Sequence, residues 1–339
     1  MKILFLSRWF PYPTDNGSKL RIWNLIRGLS GFHEVTLLSF TEAEPTPADM
    51  QAVSETCHSV QIVPWQQYNP QSQRARLGLF RLEPRSSIDT FSQEMGTRIE
   101  QTLANGRFDL VVASQWHMAS YSRYFRDMPA LFEEVELGVF HGQYVGARTV
   151  QSQLRYGLTW AKHRNYLSRL LKDFHACTVV SVQEQQLLAE AVPDFEKAVV
   201  IPNCIDLASY SDFDNEPQPN SLIFSGSFRY TPNYEAMTWF LQDTYRRIQA
   251  EVPNVQLTIT GDPAGLTLPS MSGVMQTGFV PDVRPYIASA WASVVPLRSG
   301  GGTRLKILEA MALETPVVTT SKGAEGLDAK HEKSLLIAD

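Results

Sequence analysis

Three consecutive glycines, Gly300, Gly301 and Gly302, lead into Thr303, Arg304, Lys306 and Glu309, and this is the part of the chain best suited to chemistry. The group follows a short apolar segment, residues 292–296, and its spacing predicts a helix over residues 303–313 with Thr303 as N-cap. A glycine turn at a helix N-terminus offers unpaired backbone N–H groups and the positive end of the helix dipole, which suits a phosphate. Arg304 and Lys306 add positive charge at the same end. Glu309, about one and a half turns further in, is placed to accept hydrogen bonds from a ribose diol. The pattern points to a nucleotide-diphosphate site. The three-residue spacing of Lys306 and Glu309 also suits a weak surface ion pair, and both readings stand at this point.

Four other clusters carry candidate chemistry. Gly226 and Ser227 follow an apolar segment, and Pro232 and Asn233 open a helical stretch; Arg229 between them is a candidate for the second phosphate. The first loop, residues 9–21, is rich in turn formers. There Asn16 and Gly17 would let backbone approach a ligand, and Arg21 sits one turn into the next helix, so the three are acceptor-side candidates. His117 follows a buried strand and suits proton transfer near neutral pH. Glu133, Glu134 and Glu136 form a carboxylate cluster after another strand, with Glu136 preferred as the binding member because it lies beyond the strand end.

The elements that must position these groups alternate. Apolar runs at residues 2–7, 34–40, 60–64, 108–113, 130–133, 176–181 and 198–202 read as strands, with helical spacing between most of them. After a polar stretch with prolines at residues 204–220, a second set follows at 222–225, 255–260, 274–277, 292–296 and 316–320. Alternation of this kind predicts two doubly wound α/β domains, residues 1–203 and 221–339, joined by a linker over 204–220. The chain stops soon after a strand-like segment at 335–337, where such a domain normally continues into another helix.

Composition narrows the function. Lys and Arg number 30 against 35 Asp and Glu, a net charge of −5, so there is no global basic footprint for nucleic acid. The cysteines Cys57, Cys177 and Cys204 are far apart with no CxxC pair, which argues against a disulfide framework or zinc site and fits a reducing compartment. No apolar run reaches the ~18 residues of a membrane span. Two basic amphipathic stretches, Arg74 to Arg85 (interleaved with Leu77, Leu79, Phe80 and Leu82) and Arg155 to Lys172, suit an anionic membrane surface or a solvated helix face. The dinucleotide fingerprint GxGxxG is absent after the first strand, which disfavours a nicotinamide dehydrogenase.

Taken together, the motifs resemble the GT-B glycosyltransferases, specifically the GT4-like retaining group (glycosyltransferase family 1 in domain nomenclature). The landmarks are the loop through Gly17, the phrase from His33 to Leu38, the stretch from Val199 to Asp206 containing Pro202, Asn203 and Asp206, residues 226–233, residues 278–282, and Leu308, Glu309, Ala310, Met311, Ala312 followed by Thr315, Pro316, Val317, Val318. The resemblance implies two Rossmann-like domains with an interdomain cleft, a nucleotide-sugar donor (UDP- or GDP-sugar) held by the second domain, and a glycan or lipid-linked acceptor held mostly by the first. It also implies transfer with retained anomeric configuration, and neither metal nor cofactor, because protein cations and helix N-termini neutralise the leaving diphosphate. Glu309 aligns with the family's ribose-contacting glutamate. The glutamate expected eight residues earlier, which contacts the donor sugar, is Gly301 here, and the usual Arg and Lys pair after the first strand of the second domain is reduced to Arg229. The expectation is therefore a sugar transferase of polysaccharide or glycolipid assembly, cytoplasmic or peripheral on the inner membrane face. A non-catalytic nucleotide-sugar-binding protein and a sugar-nucleotide epimerase are the alternatives.

Overall fold

The computed structural model describes residues 1–78, 81, 83–213 and 216–339, and the chain divides into two compact units, Met1–Pro202 and Asn203–Asp339. Leu79, Phe80 and Leu82 of the first basic stretch lie outside the described residues, as do two positions of the expected linker.

The first unit is built on seven strands: β1 Lys2–Ser7, β2 Glu34–Thr41, β3 Ser59–Pro64, β4 Leu110–Ser114, β5 Ala130–Glu133, β6 Ala176–Val179 and β7 Ala198–Val200. They form one parallel sheet in the order β3-β2-β1-β4-β5-β6-β7. Strand β1 lies inside the sheet between β2 and β4, and Ile3, Leu4, Phe5 and Leu6 are fully buried because helices cover both faces. The helices that matter for the site are α1 Gly17–Ser30, α2 Gln115–Ala119, α3 Gly138–Val145, α4 Val150–Leu170 and α5 Val182–Ala191. The sheet order reverses direction between β1 and β4. Ligands of open α/β sheets bind beyond the strand C-termini at such a point.

The second unit repeats the plan with β8 Gln218–Ser225, β9 Gln256–Thr260, β10 Val274–Gly278, β11 Ala290–Val295, β12 Val317–Thr319 and β13 Leu336–Ile337, all parallel, in the order β10-β9-β8-β11-β12-β13. Its relevant helices are α6 Thr231–Phe240, which runs on through a π-helical turn at Leu241–Tyr245, and α7 Leu305–Ala312. Within the stretch read as linker, the chain makes a 3-10 turn at Leu207–Tyr210 and enters β8 at Gln218. Helix α7 begins two residues later than the sequence suggests. Arg304, not Thr303, occupies the N-cap position, and no side-chain hydrogen bond caps it.

The loops after β8 and β9 approach each other backbone to backbone at Gly226 and Gly261. Gly261 has φ +125°, and a Cβ there would sit 2.5 Å from both the carbonyl carbon and oxygen of Gly226. Neither atom belongs to a side chain that could swing aside, and the conformation itself favours glycine. We expect Gly261→Ala to lower unfolding free energy by about 2 kcal/mol or more. Denaturant titration of the full chain checks this, and an unchanged midpoint would refute the close approach.

Candidate functional site

In the second unit, β8 ends at Ser225 and Gly226 turns the chain with φ +155°. A Cβ on Gly226 would lie 2.5 Å from the Lys306 ammonium and 2.7 Å from the Asn233 amide nitrogen. The missing side chain therefore makes room for a bonded cluster. Lys306 Nζ donates to Asn233 Oδ1 at 3.0 Å and lies 4.1 Å above the Phe224 ring, while Asn233 Nδ2 donates to the Ser227 carbonyl at 2.8 Å. Gly226, Ser227, Asn233 and Lys306, distant in sequence, meet at the start of α6 and the first turn of α7.

The glycine loop after β11 completes the enclosure. Gly300 (φ +96°) and Gly302 (φ +78°) take left-handed conformations, and a Cβ on Gly300 would run into the Tyr230 hydroxyl. Behind the loop, Arg304 is only 6 % exposed. Its Nη1 donates to the Gly301 carbonyl, whereas none of the described residues accepts from its buried Nε or Nη2. A buried guanidinium with idle donors is costly unless an acceptor arrives. Burial, and secondarily the nearby Arg304 charge, pull the Lys306 ammonium down to about 7, against the opposing pull of Glu309.

Glu309 is held by a partner other than Lys306. Its carboxylate accepts from the Tyr210 hydroxyl at 3.2 Å, and Arg284, tied at 2.9 Å to Asp282, stands near enough to bias its charge. Burial raises the Glu309 carboxyl above its ordinary range, with Tyr210, Lys306 and Arg284 opposing. Sequence reasoning missed Tyr210, Arg284 and Phe224. Tyr210 is 99 residues from Glu309, and no local pattern links them. The Arg229 side chain forms an ion pair with Asp262.

In the first unit the sequence candidates need several corrections. Asn16 is the N-cap of α1: its Oδ1 accepts from the Lys19 N–H at 3.0 Å, and Gly17 is the first helical residue. Arg21 is not open to an acceptor. It is 3 % exposed, its Nε donates to Glu133 Oε1 at 2.7 Å and its Nη1 to the Ile201 carbonyl at 2.9 Å, so it ties α1 to β5 and the segment after β7. Ser114 donates to the other Glu133 oxygen at 2.7 Å. Of the carboxylate cluster, Glu134 has perturbed chemistry. Glu134 has φ +61°, accepts from Gln115 Nε2 at 2.7 Å, and is raised well above the usual carboxyl range by burial and by the neighbouring Glu133. The backbone carbonyl of Glu136 accepts from Trp116 Nε1 at 3.3 Å.

His117 lies within the single-turn helix α2, not on an open loop. Its ring meets Trp65 edge-on at 5.1 Å, and Nδ1 is buried with no partner among the described residues. Arg8 stacks over Trp65 at 3.6 Å, pairs with Glu42 at 2.7 Å and stands close enough to repel a charged imidazole. Burial first, and Arg8 second, bring His117 down to about 4, so it is neutral at pH 7.

Comparison with known proteins gives the family. The model described as "Glycosyl transferase 4-like domain" matches residues 16–204, and that described as "Glycosyl transferases group 1" matches residues 219–339. The chain belongs to this glycosyltransferase family. Among solved structures, it is similar to Anabaena HepE (Alr3699) in complex with UDP-glucose, with a TM-score of 0.65, 16 % identity, and coverage of 100 % of this chain and 85 % of that one. WaaG, a glycosyltransferase involved in lipopolysaccharide biosynthesis, is similar with a TM-score of 0.56 and 14 % identity over 94 % of this chain and 81 % of its own. A curated relative, an uncharacterized 44.6 kDa protein in the cps region of Klebsiella pneumoniae, is 20 % identical over 357 residues, covering all of this chain and 87 % of that protein. The likenesses to solved structures establish the GT-B fold of this glycosyltransferase.

The position of His117 has a measurable consequence. Its folded-state value is depressed below the ordinary 6.5, so the unfolded chain binds a proton between pH 6.5 and 4 that the folded chain refuses. The stabilisation is present above pH 6.5 and is lost as pH falls toward 4. His117→Asn should flatten that part of the stability–pH curve relative to the parent. Parallel curves for the two proteins, measured by chemical denaturation, would contradict the buried neutral imidazole.

Proposed function

We propose that this glycosyltransferase moves a hexose from a UDP- or GDP-sugar to a glycan or lipid-linked acceptor, with retained configuration and without a metal ion. The observation that carries the reading is Arg304: a buried guanidinium with two idle donors, next to Lys306, at the opening of α7 under a glycine loop. An anionic diphosphate satisfies those donors and draws a full charge onto Lys306, so the protein's own cations take the neutralising role that a divalent ion has in other enzymes. Glu309, fixed by Tyr210, is the candidate for the ribose diol. The UDP and UDP-glucose bound to HepE, the lipopolysaccharide role of WaaG, and the cps-region relative support a hexose donor and a place in surface-polysaccharide or glycolipid assembly. Cys57 and Cys177 are buried thiols outside any disulfide, in keeping with a reducing, cytoplasmic setting.

Sugar transfer from UDP- and GDP-hexoses to mixed glycan and lipid-linked acceptors tests the activity, and persistence of transfer in EDTA tests metal independence. Hydrolysis or epimerisation of donor without transfer would favour the other readings of the fold. Arg304→Ala should weaken a nucleotide diphosphate sugar by roughly 1.5–3 kcal/mol while leaving the nucleoside nearly unaffected, as expected for charge-assisted hydrogen bonds. Equal losses in calorimetry for both ligands would remove Arg304 from the diphosphate site.

The Lys306 ammonium adds a pH signature. It sits at about 7 in the free protein and rises when an anion binds, so binding takes up a proton. Donor affinity should hold below pH 7 and weaken steadily above it. Lys306→Arg, always charged, should bind without that slope. Calorimetry in buffers of different ionisation enthalpy reads the proton directly, and no uptake near pH 8 would count against the assignment.

A further inference from the structure

Helices α3 and α4 form a hairpin with one face used and one face idle. On the used face, Leu167 and Leu170 are buried, Phe140 stacks on His163 at 3.8 Å, and Tyr166 stacks on Trp116 at 6.0 Å. On the other, Val150, Leu154 and Leu158 are 74 %, 71 % and 62 % exposed. Recurring every fourth residue, they make a continuous aliphatic stripe along one flank of α4. Tyr144 and Val145, exposed at the end of α3, extend it around the hairpin tip.

The charge around the stripe has one sign. From Gly138 to Leu170 the chain holds Arg148, Arg155, Lys162, Arg164 and Arg169 but no aspartate or glutamate, although the whole protein carries a net charge of −5. Arg155, Lys162 and Arg169 recur every seventh residue and so line one margin of the stripe, with Arg164 on the other. In the other basic stretch two of the arginines are engaged internally: Arg74 donates to the Phe91 carbonyl at 3.1 Å, and Arg85 to those of Ala75 and Pro70, each at 2.8 Å.

We propose that the α3–α4 hairpin is a docking surface for an anionic lipid bilayer, with the aliphatic stripe entering the headgroup boundary and the flanking cations meeting lipid phosphates. An apolar stripe bordered by cations, lying along a helix, is the pattern of an interfacial helix. A second copy of the chain is a poorer occupant, because a two-fold contact on this face would set the same cations against one another. The inference is independent of the nucleotide site on α7.

Flotation of the full chain with vesicles tests it. At low salt the protein should rise with vesicles of equal parts phosphatidylcholine and phosphatidylglycerol, stay down with phosphatidylcholine alone, and lose binding as salt is added. Two variants at exposed positions divide the contributions. Leu154→Asp with Leu158→Asp should abolish flotation, and Arg155→Gln with Arg164→Gln and Arg169→Gln should reduce it about a hundredfold, at about fivefold per cation. Melting temperature and donor-nucleotide binding should match the parent in both, and if one variant fails to fold the other decides. No binding to anionic vesicles, equal binding to neutral ones, or flotation unchanged in the folded variants would overturn the proposal. So would a stable dimer, seen by light scattering, that dissociates in the Leu154→Asp, Leu158→Asp variant.

Discussion

Two cations held out of water side by side are the constraint around which the second unit is arranged. Arg304 is buried with donors unused, and Lys306 is desolvated against Phe224. Like charges in such surroundings repel and forfeit hydration, so the fold must hold them by other means. It does so with the Asn233 amide, the carbonyl of Gly301, and the negative face of an aromatic ring. Each of these partners is neutral. A carboxylate bonded directly to Lys306 would have quenched the site; the nearby Glu309 is instead engaged with Tyr210.

In the first unit the same problem has the opposite solution. Arg21 is as buried as Arg304, but its Nε and Nη1 are committed to Glu133 and to the Ile201 carbonyl, with Ser114 satisfying the remaining carboxylate oxygen. A buried ion pair of this kind fixes geometry more than it adds stability. It draws α1, β4, β5 and the segment after β7 together at the carboxyl ends of β4 and β5, which Glu134 and His117 closely follow. One unit keeps its buried charge available, and the other spends it on position.

Much of this was legible in the sequence. The strands were, because a buried parallel strand is a short apolar run and few other elements look like one: the segments at 2–7 and 130–133 match β1 and β5 to the residue. The glycine loop and the cations after it were legible because backbone conformation and helix polarity leave local marks. What stayed hidden was pairing at long range. Nothing near Arg21 announces Glu133, 112 residues away, so an arginine one turn into a helix looked open to a ligand. The surroundings of Glu134 were hidden for a related reason: distance past a strand end says nothing of the left-handed turn and the Gln115 amide that enclose it. The start of α7 was misjudged because Thr303 has the chemistry of a cap while Arg304 has the position.

Glu184 deserves a mechanical reading. Its carboxylate, on α5, accepts from the backbone N–H groups of Leu137 and Gly138 at 2.8 and 3.0 Å, and so clamps the root of α3. At the far end of α4, Trp116 lies between Tyr166 and His163 and is the residue before His117. The hairpin is thus a cantilever, clamped at its base and free at the turn between α3 and α4. The surface on which the hairpin bears, through Tyr166 and His163 against Trp116, belongs to the short helix holding the neutral imidazole.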